Sequence, residues 1–288
     1  MSGPFAKGNT SQVGYVDAEK YHKVVQKLRN FFINKGFTET HLQSRLSILA
    51  ACEDPQSLAT FKYNGNIYPL PQTNQMYLEY QLLTNPNSIG YFCVATSYRE
   101  EKNPIEGRHD LIFPLFEIET RGTMDDMAAL WKELLLYLGY KNPVEVNYED
   151  ICKKYGTEFL DHTHEERLYQ EYGPAVLLKY FPMRTSPFFN MKLCQDENGT
   201  PLAKKIDVIL SGMETIGSAE RSCDVEEMRR QFYTISDGEY ANTLFNLFGR
   251  ERVEAELNDF LKLDFFTRFG CGMGMTRLIK SMVKEGLV

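Results

Sequence analysis

Two short stretches, far apart in the chain, carry residues suited to gripping a nucleoside triphosphate. The first runs Arg99-Glu100-Glu101, a short loop, Arg108-His109, then Phe113 and on to Glu117 and Glu119. Guanidinium groups hold phosphate oxygens bidentately, so Arg99 and Arg108 on either side of one loop offer two grips on a polyphosphate. Phe113 adds a flat ring on which a base can stack. The second stretch is Gly270-Cys271-Gly272-Met273-Gly274-Met275-Thr276-Arg277. Its alternating glycines fall on one face of a strand, where missing side chains let a ligand come close. Alone, such a run is equally a tight packing corner. It is not the dinucleotide fingerprint, because no strand-helix-strand unit surrounds it. Together the stretches imply a bent, reactive nucleotide and an adenylating chemistry.

A third stretch, Ile206-Asp207-Val208-Ile209-Leu210-Ser211-Gly212, ends a strand, and Glu214 follows seven residues after Asp207. By itself this is an ordinary acidic strand end. Beside a polyphosphate, two hard carboxylates suit Mg²⁺, which takes few protein ligands and completes its shell with phosphate and water.

The elements that must position these groups are legible as follows. Asp17 caps a helix that runs to about Asn34 and stops near Gly36. Met76 to Leu83, Met124 to Tyr137, Tyr148 to Tyr155, Glu165 to Tyr172, Asp224 to Phe232, Arg250 to Leu261 and Thr276 to Lys284 read as helices. Tyr91 to Tyr98 and Phe113 to Thr120 read as paired strands joined by the loop 102–107. Val176 to Phe181, Phe188 to Cys194 and Ile206 to Leu210 read as further strands. The pattern predicts an α+β domain over 16–288 with a mostly antiparallel sheet flanked by helices, behind a flexible tail at 1–15.

Composition narrows the class. The chain has 288 residues, 43% hydrophobic and 25% charged, enough for a substantial core. A net charge of -7 disfavours a broadly basic nucleic-acid face. Six cysteines without a Cys-x-x-Cys pair, and five histidines without ligand spacing, speak against zinc. No apolar run is long enough to span a membrane, and the polar N-terminus lacks a signal peptide's apolar centre. The expectation is a cytoplasmic enzyme.

The order Arg-x-Glu, Arg-His, Phe, Glu-x-Glu resembles motif 2 of the class II aminoacyl-tRNA synthetases, and Gly-x-Gly-x-Gly-x-x-Arg resembles their motif 3. The resemblance spans most of 17–285 and is nearest the aspartyl/asparaginyl branch. It implies that Arg99 binds the α-phosphate and that Glu101 sits near the adenine or metal side of ATP. Arg108 and His109 would meet the outer phosphates. Phe113 would stack on adenine, with Gly274 beside the nucleotide and Arg277 covering the γ-phosphate on the other face. The family's metal-binding acids fall on Asp207 and Glu214. Gln75, in Pro71-Gln72-Thr73-Asn74-Gln75-Met76-Tyr77-Leu78-Glu79, matches the contact to the substrate ammonium, and Leu78-Glu79 follows the asparaginyl pattern where aspartyl enzymes carry a lysine. Arg221 matches an arginine at the substrate's far end.

Glu79 and Arg221 side by side would read either a side-chain amide or an ammonium-carboxylate pair. The second orientation presents the β-carboxylate of aspartate to ATP, and sequence leaves both open. Here the core helix starts near Asp17, so the expectation is a catalytic domain without an anticodon-binding domain, tRNA being an unexpected partner. Gln43 stands where motif 1 of the family has a proline in the segment that builds its homodimer. The stand-alone cores of this family imply an ATP- and Mg²⁺-dependent aspartate–ammonia ligase first. Next comes adenylation of asparagine or a related amino acid for another amine, such as a protein lysine. Outside enzymes, an inactive paralog acting as a regulator is the alternative.

Overall fold

The computed structural model describes residues 16–41, 47–51, 55–105 and 108–288. The tail 1–15, Gln43, Cys52 and the loop residues Glu106 and Gly107 lie outside these. Helix α1 (Ala18–Asn34) starts where the Asp17 carboxylate accepts from the amides of Glu19 and Lys20, satisfying donors a helix start leaves open. Strand β1 (Thr38–Glu39) follows. Strands β2 (Thr60–Tyr63) and β3 (Asn66–Pro69) form a separate hairpin. Its turn, Asn64-Gly65, has positive φ at both positions, which matches the twist of a two-residue hairpin.

Helix α2 (Gln75–Thr84) leads into the long hairpin β4 (Gly90–Tyr98) and β5 (Ile112–Arg121). Helix α3 (Met124–Leu138) opens with a Thr123–Asp126 capping box and ends on left-handed Gly139. Next come β6 (Val144–Asn147), α4 (Tyr148–Tyr155), α5 (His162–Tyr172), β7 (Ala175–Pro182), β8 (Leu193–Gln195), β9 (Pro201–Leu210) and β10 (Met213–Glu220). Helices α6 (Val225–Thr234), α7 (Glu239–Phe248) and α8 (Arg250–Phe260) precede β11 (Arg268–Gly274) and α9 (Met275–Lys284).

Among the described residues one large sheet runs β1-β4-β5-β11-β10-β9-β7-β6, with β8 also on β9. Only the outer pairs β1/β4 and β6/β7 are parallel. The α+β expectation therefore holds. Alternation along the strands sorts two faces. Phe116, Ile118, Ile206, Val208, Ile216, Cys271 and Met273 pack with α1, α3 and α9 in the main core. Helices α6 to α8 build a second cluster around Met228, Phe232, Leu244 and Phe260, which takes in Met76 and Leu83 of α2.

Three readings change. Phe188 to Cys194 is not one strand: Leu193–Gln195 pairs with β9, Met191 makes a single bridge to Arg221, and Phe188 to Met191 form a turn closed by Met191 N–H donating to the Phe188 carbonyl at 3.0 Å. Phe189 there serves the helical cluster, edge-on to Phe232. Strand β10, absent from the expected elements, begins at Met213, straight after a two-residue turn in which Ser211 and Gly212 both have positive φ. Helix α7, absent from the expected elements, follows left-handed Ser236, Asp237 and Gly238.

Candidate active site

The register of four central strands lays out the floor. Glu117 on β5, Gly272 on β11, Gly217 on β10 and Asp207 on β9 stand in one row. The next row is Glu119, Gly270, Ala219 and Lys205. The centre of the floor is glycine or alanine, and charged side chains rise at both margins. Above it lies a cavity of about 400 Å³, in the range of small-molecule sites.

One end of the cavity gathers the triphosphate candidates. Arg99, Glu101, Arg108, His109, Phe113, Gly274 and Arg277 all line it, although the stretches that supply them are far apart in sequence. The β4–β5 hairpin brings the first five to one place. The turn from β11 into α9 delivers Arg277. The Arg99 guanidinium lies 5.7 Å from the centre of the Phe113 ring. Arg108 is held by Glu165 of α5 at 2.6 Å, and His109 Nδ1 meets Glu101 at 2.7 Å. Arg277 donates to the Glu214 carbonyl at 2.7 Å and, at 3.4 Å, to the Arg108 carbonyl. Arg108 and Arg277 are thus pre-positioned by acceptors on neighbouring elements.

Asp207 and Glu214 meet at Gly217: a Cβ there would stand 3.6 Å from Glu214 Oε1 and 3.8 Å from Asp207 Oδ1. Asp207 Oδ1 is buried without a hydrogen-bond partner among the described residues. Burial pushes Asp207 up to about 7, a rise that Lys205 opposes and neighbouring Glu214 reinforces. Burial works on Glu214 too, but Lys205, Arg277, Arg99 and Arg108 together hold its carboxyl below the ordinary range. An orphaned hard oxygen beside a second carboxylate fits Mg²⁺. No group of three or more His, Cys, Asp or Glu assembles among the described residues, so the remaining ligands would be phosphate and water.

Arg221 marks the other end, just past β10 and four residues on from Gly217, roughly 13 Å at strand rise. Its Nη2 donates to Gln75 Oε1 at 2.6 Å, and its Nε to Glu119 Oε1 at 2.9 Å. Gln75 and Arg221 both line the cavity. Burial raises the Glu119 carboxyl to about 7 against the pull of Arg221, with Glu79 adding to the rise.

Here the expected Glu79–Arg221 pair is corrected. Glu79 is fully buried, does not line the cavity, and is ion-paired to Arg268, also fully buried. Asn190 Nδ2 donates to its second oxygen at 2.8 Å. The reason is orientation: Glu79 lies on α2 one turn beyond Gln75, facing the start of β11, whereas Glu119 on β5 shares a row with Gly270 and reaches Arg221 across it. The carboxylate partner of Arg221 is Glu119. Sequence reading noticed Glu119 in motif 2 without giving it this contact, and it missed Lys205, Glu165 and Asn190. Only Lys205 left a signal, two residues before Asp207 and hence on the same strand face.

The model for tRNA synthetases class II (D, K and N) matches residues 17–286. The chain belongs to this family. An aspartate–tRNA(Asp/Asn) ligase of Prochlorococcus marinus (strain MIT 9515) is 26% identical over 164 residues, 55% of this chain and 25% of that protein. Among solved structures, asparaginyl-tRNA synthetase from Pyrococcus horikoshii complexed with asparaginyl-adenylate superposes with a TM-score of 0.74 at 19% identity, over 93% of this chain and 65% of that one. A putative aspartyl-tRNA synthetase from Leishmania major Friedlin gives 0.72 at 16%, over 92% and 62%. At such identities these structures establish the fold. This class II chain spans a quarter of the curated relative it matches and under two thirds of these structural neighbours.

Proposed function

We propose that this chain activates an amino-acid carboxylate with ATP, forming an aminoacyl-adenylate and pyrophosphate. The observation that carries the reading is the convergence in one cavity of Arg99, Arg108, Arg277 and Glu214 around the Phe113 ring, with Gln75 and Arg221 at the far end. In this reading Arg99 neutralises charge developing on the α-phosphate, while Arg108 and Arg277 hold the outer phosphates. Mg²⁺ on Asp207 and Glu214 would supply further charge stabilisation for the leaving pyrophosphate. Gly217, Gly272 and Gly274 leave room for the reacting groups to lie flat on the sheet. The protein contributes position and electrostatics and needs no nucleophile of its own.

The amino acid is aspartate and the acceptor ammonia. Of the two partners of Arg221, Gln75 lines the cavity and Glu119 does not, so the charge shown to the cavity at that end is the Arg221 guanidinium, which suits a substrate with a second carboxylate. Ammonia is the smallest acceptor for a cavity that a nucleotide and an amino acid already share. A second reading, activation of asparagine, is favoured by the buried Glu119–Arg221 pair, which offers both an acceptor and a donor to an amide. The test is incubation with ATP, Mg²⁺ and aspartate, with and without ammonium, following AMP and asparagine. Ammonium-dependent asparagine is the predicted product. Pyrophosphate exchange with asparagine and none with aspartate refutes the aspartate reading.

A further inference from the structure

Lys205 has no part in the chemistry derived so far, yet it stands in the middle of it. It sits on β9 opposite Ala219, two residues from Asp207 on the same strand face, and lines the cavity with Glu214, Arg99 and Arg277. Its ammonium is bonded to Asp207 Oδ2 at 2.5 Å and lies 4.0 Å from the centre of the Phe181 ring. Its partner on β10 at that row is Ala219. Lys205 is thus held from one side by a carboxylate and backed by an aromatic face. One of the four oxygens of the Asp207–Glu214 pair is already spent on a cation.

We propose that Lys205 is a resident cation of this site: it half-fills the Asp207–Glu214 carboxylate pair, weakens the pair's hold on a divalent ion, and itself supplies positive charge beside the bound nucleotide. A divalent ion approaching the pair meets an ammonium already bonded to one of the two carboxylates, in addition to the guanidinium groups that act on Glu214. Repulsion between two cations a few ångströms apart is large wherever water is largely excluded. Lys suits this place because a compact ammonium on a flexible stem can yield its carboxylate oxygen when a stronger cation arrives. The nucleotide part of the proposal rests on the adenylation reading. The metal part does not.

The test uses the whole chain without nucleotide and counts bound Mn²⁺ from the loss of the free-ion signal in electron paramagnetic resonance. Lys205→Met removes the charge and keeps the stem. It is expected to tighten Mn²⁺ binding about tenfold or more, while Lys205→Arg keeps the charge and stays near the parent affinity. Adding Asp207→Asn to Lys205→Met should abolish the gain. Lys205→Gln carries the same expectation as Lys205→Met, so the test does not hang on one variant folding. Unchanged Mn²⁺ affinity in Lys205→Met and Lys205→Gln overturns the proposal. So does a gain that survives Asp207→Asn. If the tightening is seen but no amino acid supports pyrophosphate exchange, the adenylation reading fails and the resident cation stands.

Discussion

Replacing Glu79 separates a substrate-reading carboxylate from a structural one. Arg268 is fully buried and donates through Nε to Glu79 Oε1 at 3.0 Å, with its Nη2 on the same oxygen. Its Nη1 reaches only the carbonyls of Ser222 at 3.2 Å and Phe266 at 3.1 Å, and the Sγ of Cys223. In Glu79→Met that guanidinium keeps two neutral carbonyl acceptors and no bonded carboxylate, Glu119 acting on it only from farther off, and Asn190 Nδ2 keeps only the weak acceptor Met76 Sδ at 3.6 Å. Breaking one side of a buried ion pair costs about 3–5 kcal/mol. For a chain of 288 residues that is a fall in Tm of roughly 5–8 °C. The double variant Glu79→Met/Arg268→Met removes both charges and should regain most of the loss.

The assay is urea unfolding followed by Trp131 fluorescence, since this is the one tryptophan of the chain and it is fully buried. Gln75→Ala, on the cavity wall, is the control: little change in stability, with weakened amino-acid binding. A Glu79→Met protein that loses less than about 1 kcal/mol yet no longer binds its amino acid would refute the assignment and return Glu79 to the substrate.

Two further outcomes follow. The folded-state carboxyl of Glu119 is raised from 4.5 to about 7, chiefly by burial. Its contribution to stability is therefore complete below pH 4.5 and is lost as pH rises through about 7, by about 3 kcal/mol in all. Glu119→Gln should flatten that part of the stability–pH profile; an unchanged slope contradicts the raised value. Gly270 lies directly under the Glu119 carboxylate, so a Cβ there collides with it, whereas a Cβ on Gly274 finds only the Thr215 carbonyl at 3.8 Å. Gly270→Ala should displace Glu119 from Arg221 and weaken amino-acid binding about tenfold or more, and Gly274→Ala should bind the amino acid as the parent does. Equal affinities in the two variants, measured by calorimetry, would contradict the row geometry.

Much of the floor was legible because strand alternation is a local code. Gly270, Gly272 and Gly274 predict one open face, and Glu117 and Glu119 fall on the matching face of the neighbouring strand. Helices capped by Asp17 and stopped at Gly36 are legible for the same local reason. Partner choice is not local. Whether Glu79 or Glu119 takes Arg221 depends on β5 meeting β11 and on α2 facing Arg268, contacts 102 and 189 residues apart in sequence. Helix α7 was hidden because three consecutive left-handed residues precede it, and no sequence period runs through such a break. Phe188 to Cys194 has a strand's composition, but its aromatic residues serve the helical cluster, and tertiary packing overrides local preference there. Lys205 was passed over because its role appears only when the Asp207 row and the cavity are seen together.

The most direct measurement is amino-acid-dependent exchange of labelled pyrophosphate into ATP, run with the parent chain and with Arg99→Ala across the standard amino acids. Exchange should require aspartate and Mg²⁺ and be lost in Arg99→Ala, while that variant unfolds at the parent's urea midpoint. Absence of exchange with every amino acid, or exchange undiminished in a folded Arg99→Ala protein, would contradict adenylation at this site.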